Sequence, residues 1–165
     1  MGNTASNYNI IRVTPTLDTS AYAQGDVLFT ATAIPNAVRG NGGCSKLVSM
    51  YVLNQLTTDV DIAYIFSEGS TALGTINATA NISDANLEAL NINGFLHQDA
   101  SEAGTLQLDN ADLHKVYDAP DNGTPLLLQA AADTTTVYVQ GILTGSATPT
   151  YAADDIDLIL HIQYR

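Results

Sequence analysis

The feature that most constrains this chain is its punctuation. From residue 10 onward it carries eight to nine short runs rich in Ile, Val, Leu, Thr and Tyr, and Gly, Pro, Asn or Asp ends nearly all of them before a helix could form. Residues 10–14 stop at Pro15, which cannot donate to a sheet ladder. Gly25-Asp26 turns the chain into residues 27–32, and Pro35-Asn36 closes that run. Residues 40–43, Gly-Asn-Gly-Gly, lead into residues 46–53. There a period of two places Leu47, Ser49, Tyr51 and Leu53 on one face and Val48, Met50 and Val52 on the other. Apolar groups on both faces predict a mid-sheet strand. Residues 61–66 follow a short polar turn, which predicts a meander with the preceding strand.

One stretch breaks the pattern. Residues 83–90 open with Ser83 as an N-cap, carry Asp84 and Glu88, and space Leu87 and Leu90 three apart, which predicts a helix of one to two turns. Strand runs then resume at 92–97, 115–117, 126–130 and 134–144. The last, 156–164, alternates cleanly: Ile156, Leu158, Leu160, Ile162 and Tyr164 should face a core, with Asp157, His161 and Gln163 toward solvent or a neighbour. Many short strands and one small helix predict an all-β fold, an antiparallel β-sandwich of jelly-roll or Greek-key kind. The expected organisation is a polar N-terminal arm over residues 1–9 and a single sandwich domain over 10–165.

Composition narrows the partners. The chain has 165 residues, 45% of them apolar and 13% charged, enough to pack one core without staples. Its 17 acidic residues outnumber 5 basic ones, and Arg12, Arg39, Lys46, Lys115 and Arg165 are scattered along the sequence. Nucleic acid and anionic membranes both call for clustered cations, so neither is an expected partner. A net charge of −12 suits solubility or docking on a basic protein surface. No stretch nears the roughly 18 apolar residues of a membrane span. The polar start, without a basic and then apolar run, predicts no secretion signal.

The candidates for chemistry are sparse. His97, His114 and His161 lie in separate segments without a metal-binding spacing. Cys44, the single cysteine, follows Gly42-Gly43 outside any nucleophile motif and is expected to be a small buried thiol. Asp154, Asp155 and Asp157 form one acidic run, and Asp118 and Asp121 with Gly123 form another. Neither matches a calcium loop, and turns satisfied by their own carboxylates account for both. Tyr51, Tyr64 and Tyr138 fall within strands and are expected in the core or on a sheet face. These residues predict no catalytic site, no metal and no cofactor; the enzyme hypothesis ranks last.

Residues 11–28 (IRVTPTLDTSAYAQGDVL), residues 34–38 (IPNAV), the Gly42-Gly43 turn and the ending 145–160 (GSATPTYAADDIDLIL) resemble, in order and spacing, small virion structural proteins of tailed bacteriophages. Within that family the chain resembles capsid decoration, or cement, proteins. That resemblance implies a β-sandwich on the capsid exterior, assembled in a host cytoplasm. It would bind the shell of major capsid protein, as a homo-oligomer with a trimer favoured. Docking would use the N-terminal arm and an exposed sheet edge, with Tyr8, Ile10 and Arg12 as arm contacts and Arg39 as a loop contact. The alternatives are a tail or head-fibre component, or a carbohydrate- or calcium-dependent adhesion sandwich.

Overall fold

In the computed structural model, which describes residues 7–56, 58, 60–100, 104–119 and 123–164, the short runs become ten strands and one helix. In order these are β1 (Tyr8–Val13), β2 (Val27–Ile34), β3 (Cys44–Asn54), β4 (Ile62–Ser67), α1 (Asp84–Ala89), β5 (Ile92–Gln98), β6 (Thr105–Gln107), β7 (Asp112–Asp118), β8 (Leu126–Gln129), β9 (Val137–Leu143) and β10 (Ile156–Tyr164). Tyr8 and Asn9, placed in the arm by sequence, belong to the first strand.

The strands make an antiparallel sandwich. One sheet has the order β1-β10-β3-β7-β6, with β8 also on β3, and the other β2-β9-β4-β5. Four pairings explain that order: β1 with β10, β2 with β9, β3 with β7 and β4 with β5, all antiparallel. The first half of the chain thus runs beside the second as one long ribbon, whose successive pairs alternate between the sheets. This is the jelly-roll order. A two-stranded ribbon with one apolar side is marginal in water, so rolling that side onto itself is what makes it stable. Leu28, Phe29, Leu47, Met50, Ile62, Tyr64, Phe66, Leu128, Leu158 and Leu160 fill the space between the sheets. Each such side chain contributes roughly 1.5–3 kcal/mol by leaving water.

Two expectations from the sequence are corrected. β4 is no meander partner of β3 but lies in the opposite sheet, between β9 and β5. Asn54 starts the crossing by accepting Leu56 N at 3.0 Å, Val60 plugs the core, and Asp61 O accepts Thr144 N at 2.9 Å. The strict alternation of β3 also fails. Ser49 pairs with His161 and Leu47 with Ile162, which leaves Val48 as an extra residue. That bulge reverses the phase, so Leu47, Met50 and Val52 all face the core while Tyr51 and Leu53 are half-exposed on the outer face.

The sheets differ in their outer faces. That of the four-stranded sheet is covered in part by the segment between β4 and β5, where Leu73 and Leu90 pack with Val27, and Ala80, Ile82, Ile65 and Ile142 surround them, while Phe95 of β5 stays exposed. Gln140 secures the cover: its Oε1 accepts Leu73 N at 3.0 Å and its Nε2 donates to Thr71 O at 2.9 Å. Helix α1 lies in this cover, capped by Ser83 as predicted, but it buries none of its own residues. Leu90, just past its end, is the anchor.

Gly141 on β9 is required for packing. A Cβ there would come within 2.4 Å of the Phe29 ring. Gly141→Ala should therefore destabilise the fold by about 1–3 kcal/mol in urea titration, and Phe29→Leu should recover part of that loss. An unchanged midpoint would show that the ring moves aside freely.

Candidate interaction surface

The outer face of the six-stranded sheet has no covering segment among the described residues, and its side chains can be placed from the register. Ile11 and Val13 of β1 are buried, so Tyr8, Ile10 and Arg12 point outward, opposite Gln163, His161 and Ile159 of β10. Gln163 and Ile159 lie opposite Lys46 and Tyr51 of β3, and these lie opposite Leu127 of β8 and Lys115 of β7. The result is a shallow mixed surface. Ile10 is 64% exposed, Leu127 51% and Leu106 58%.

This face also gathers cations that the sequence scatters. Arg12, Lys46 and Lys115 stand on it, and Arg39 sits at its rim; together they are all the cations among the described residues. Asp157 and Asp118 are the carboxylates on the same strands that face outward, so the surface is close to charge balance although the chain carries −12. The acidic excess lies elsewhere on the molecule.

The four contact residues expected from sequence share this region but not one role. Tyr8 accepts a hydrogen bond from Gln163 Nε2 at 3.0 Å. Arg39 reaches the same corner, its guanidinium 4.6 Å from the centre of the Tyr164 ring and its Nη1 donating to Asn7 Oδ1 at 3.3 Å. The Tyr164 hydroxyl accepts from Asn9 Nδ2 and donates to Asn36 O, which ties the 36–39 loop to β1 and β10. Ile10 makes the exposed middle of the strand. Arg12, at the other end, is engaged within the chain: it donates to Asp157, and the Thr14 hydroxyl donates to the same carboxylate. Asp157 was expected to face solvent or a neighbour, and the neighbour is Arg12.

Of the remaining candidates, His97 and His114 come together and His161 does not join them. His161 is on the outer face with its ring 5.5 Å from that of Tyr51. His97 is exposed, 3.0 Å from Thr144 Oγ1, and His114 is buried with Nδ1 2.9 Å from Thr105 Oγ1. These two histidines line one crevice between β5 and β7, with about 10 Å³ of space, the room of a single water. No group of three metal-ligating side chains occurs among the described residues. Cys44 corrects an expectation: it is exposed, because the alternation of β3 turns Ser45 inward and Cys44 out. Asp155 accepts Ala152 N at 2.6 Å, the local turn expected of that acidic run; Asp121 lies outside the described residues. Tyr64 is wholly buried and donates to Gln98 Oε1 at 2.8 Å, and burial pushes its hydroxyl well above the ordinary value.

Sequence reasoning had no signal for the gathering of cations, since residues 12, 46 and 115 meet only through strand register. Compared with known proteins, the chain matches no protein-family model and no curated sequence.

The Arg12–Asp157 pair has a pH signature. The hydrogen bond from Arg12, opposed by burial and aided by Thr14, holds the Asp157 carboxyl below its ordinary 3.8. Because the folded value is depressed, its stabilisation is present above 3.8 and is lost as pH falls through the lower folded value. Asp157→Asn should flatten the fall of unfolding free energy in that acid window relative to the parent chain. Parallel acid-unfolding curves for the two proteins would exclude this pair as a contributor.

Proposed function

We propose that this chain is a non-enzymatic virion structural protein that binds the outer surface of a bacteriophage capsid and stabilises or decorates it. The observation that carries the reading is the unequal covering of the two sheets. A segment of the chain itself covers much of one outer face, leaving Phe95 exposed beside it, whereas the other has no such segment among the described residues and keeps Ile10, Tyr51, Leu106 and Leu127 available beside interspersed cations. Scattered apolar groups with a polar surround suit docking on a protein surface better than they suit turnover of a small molecule in a closed pocket. The jelly-roll order adds support by analogy, since viral capsid domains use it, as do lectins. The resemblance of residues 11–28 and 145–160 to decoration proteins supplies the particular partner, the shell of major capsid protein. Many copies, each with a modest interface, would stabilise a shell through summed contacts and avidity.

The test is co-sedimentation with expanded, undecorated heads of the phage that carries the chain. The parent protein should bind in fixed stoichiometry. Lys46→Glu combined with Leu127→Glu, two partners on adjoining strands of the open face, should weaken binding at least tenfold without changing the melting temperature. Failure of the parent protein to bind would transfer the assignment to a fibre component or an adhesion module. Glycan-array binding or a calcium-dependent melting shift would then separate those two.

A further inference from the structure

Strand β1 is the terminal strand of the six-stranded sheet, paired along one side with β10. Asn7 O accepts Tyr164 N at 2.8 Å, which fixes the direction of the peptide groups along β1. In an antiparallel ladder these alternate, so residues 9, 11 and 13 address β10 while Tyr8, Ile10 and Arg12 direct N–H and C=O away from the sheet. No described residue pairs with the outward peptide groups of Ile10 and Arg12.

Proteins normally spoil such edges, and this one spoils its others. The far strand of the same sheet, β6, has three residues. Pairing of β2 with β9 shifts register twice, which breaks the line of that edge. At β5, Asn93 donates to Gln129 O and accepts Gln129 N, so its side chain fastens that edge to β8. By contrast β1 pairs with β10 over six residues with no shift, has no proline before Pro15, and bears a single charge already matched by Asp157.

We infer that β1 pairs antiparallel with β1 of a second copy of this chain about a two-fold axis at Ile10, joining the two six-stranded sheets edge to edge. Three outward residues with Ile10 at their centre are self-complementary. Ile10 falls opposite the partner's Ile10, with two backbone hydrogen bonds between them, and positions 8 and 12 fall opposite one another on either side. The side chains match as well. Two exposed isoleucines cover each other, a favourable cross-strand pair. The charge-balanced face also lets two chains of −12 approach with the least repulsion. The inference goes beyond the capsid reading and does not depend on it.

Sedimentation equilibrium of the full chain should show mass rising from monomer to dimer with concentration. Ile10→Pro removes an N–H that β10 does not use and should leave a folded monomer at every concentration. On a Cys44→Ser background, Ile10→Cys should cross-link to dimer under oxidation, since facing residues of this kind have Cα atoms roughly 5.5 Å apart. Tyr8→Cys should not, because the two Tyr8 positions lie about 13 Å apart along the strands. A monomer at all concentrations, a dimer that survives Ile10→Pro, or cross-linking equal at both positions would overturn the proposal. A monomeric parent whose binding to phage heads is abolished by Ile10→Pro would also overturn it, and would assign the edge to a strand of the shell protein. If Ile10→Pro failed to fold, the contrast between the two cysteine variants would still decide.

Discussion

The six-stranded sheet exists because β3 is long enough to hold three neighbours. It pairs with β10 along one side and with β7 and β8, end to end, along the other. Everything on the open face takes its position from that strand, because a one-residue slip in a ladder exchanges core and surface. The bulge at Val48 makes such an exchange once, within the strand. Before it, the odd residue Leu47 is in the core; beyond it, the even residues Met50 and Val52 are, and Tyr51 is released to stand beside His161.

A sandwich needs only its inner faces buried, so whatever happens on an outer face is a separate expenditure of chain. Here residues 69–91 are given to one side, and Gln140 pins them by satisfying two backbone groups that would otherwise be stranded under the cover. No comparable segment serves the other side among the described residues. The consequence is a molecule with one largely covered face, from which Phe95 still projects, and one face of mixed apolar and cationic groups.

Electrostatics reinforces the division. Asp157 is nearly buried at the edge of the open face, and Arg12 and Thr14 hold it in its charged form. Arg12 thereby stiffens the end of β1 next to Thr14, while the Tyr164–Arg39–Asn7 cluster fastens the other end. An edge strand held at both ends and bare in the middle is preorganised, so a partner that pairs with it has little ordering entropy left to overcome.

Much of the fold was legible in the residues. The eight to nine strand runs, the cap at Ser83, the core face of β10 and the all-β sandwich follow from local periodicity and turn chemistry, which operate over a few residues and leave their mark in order along the chain. The short strand β6 was missed because three residues carry no period. The β3–β4 crossover and the bulge at Val48 were missed because a hairpin and a crossover begin with the same polar turn, and a bulge has no side-chain signature. Cys44 was placed inside on its residue type alone, while its exposure depends on the phase of a strand whose register other strands set. The sequence by itself determined that the chain would form strands and that those strands would bury one face. Only the tertiary structure decided which outer face stayed open, and that Arg12, Lys46 and Lys115 would share it. Their meeting depends on interstrand register, a long-range property that no local pattern encodes.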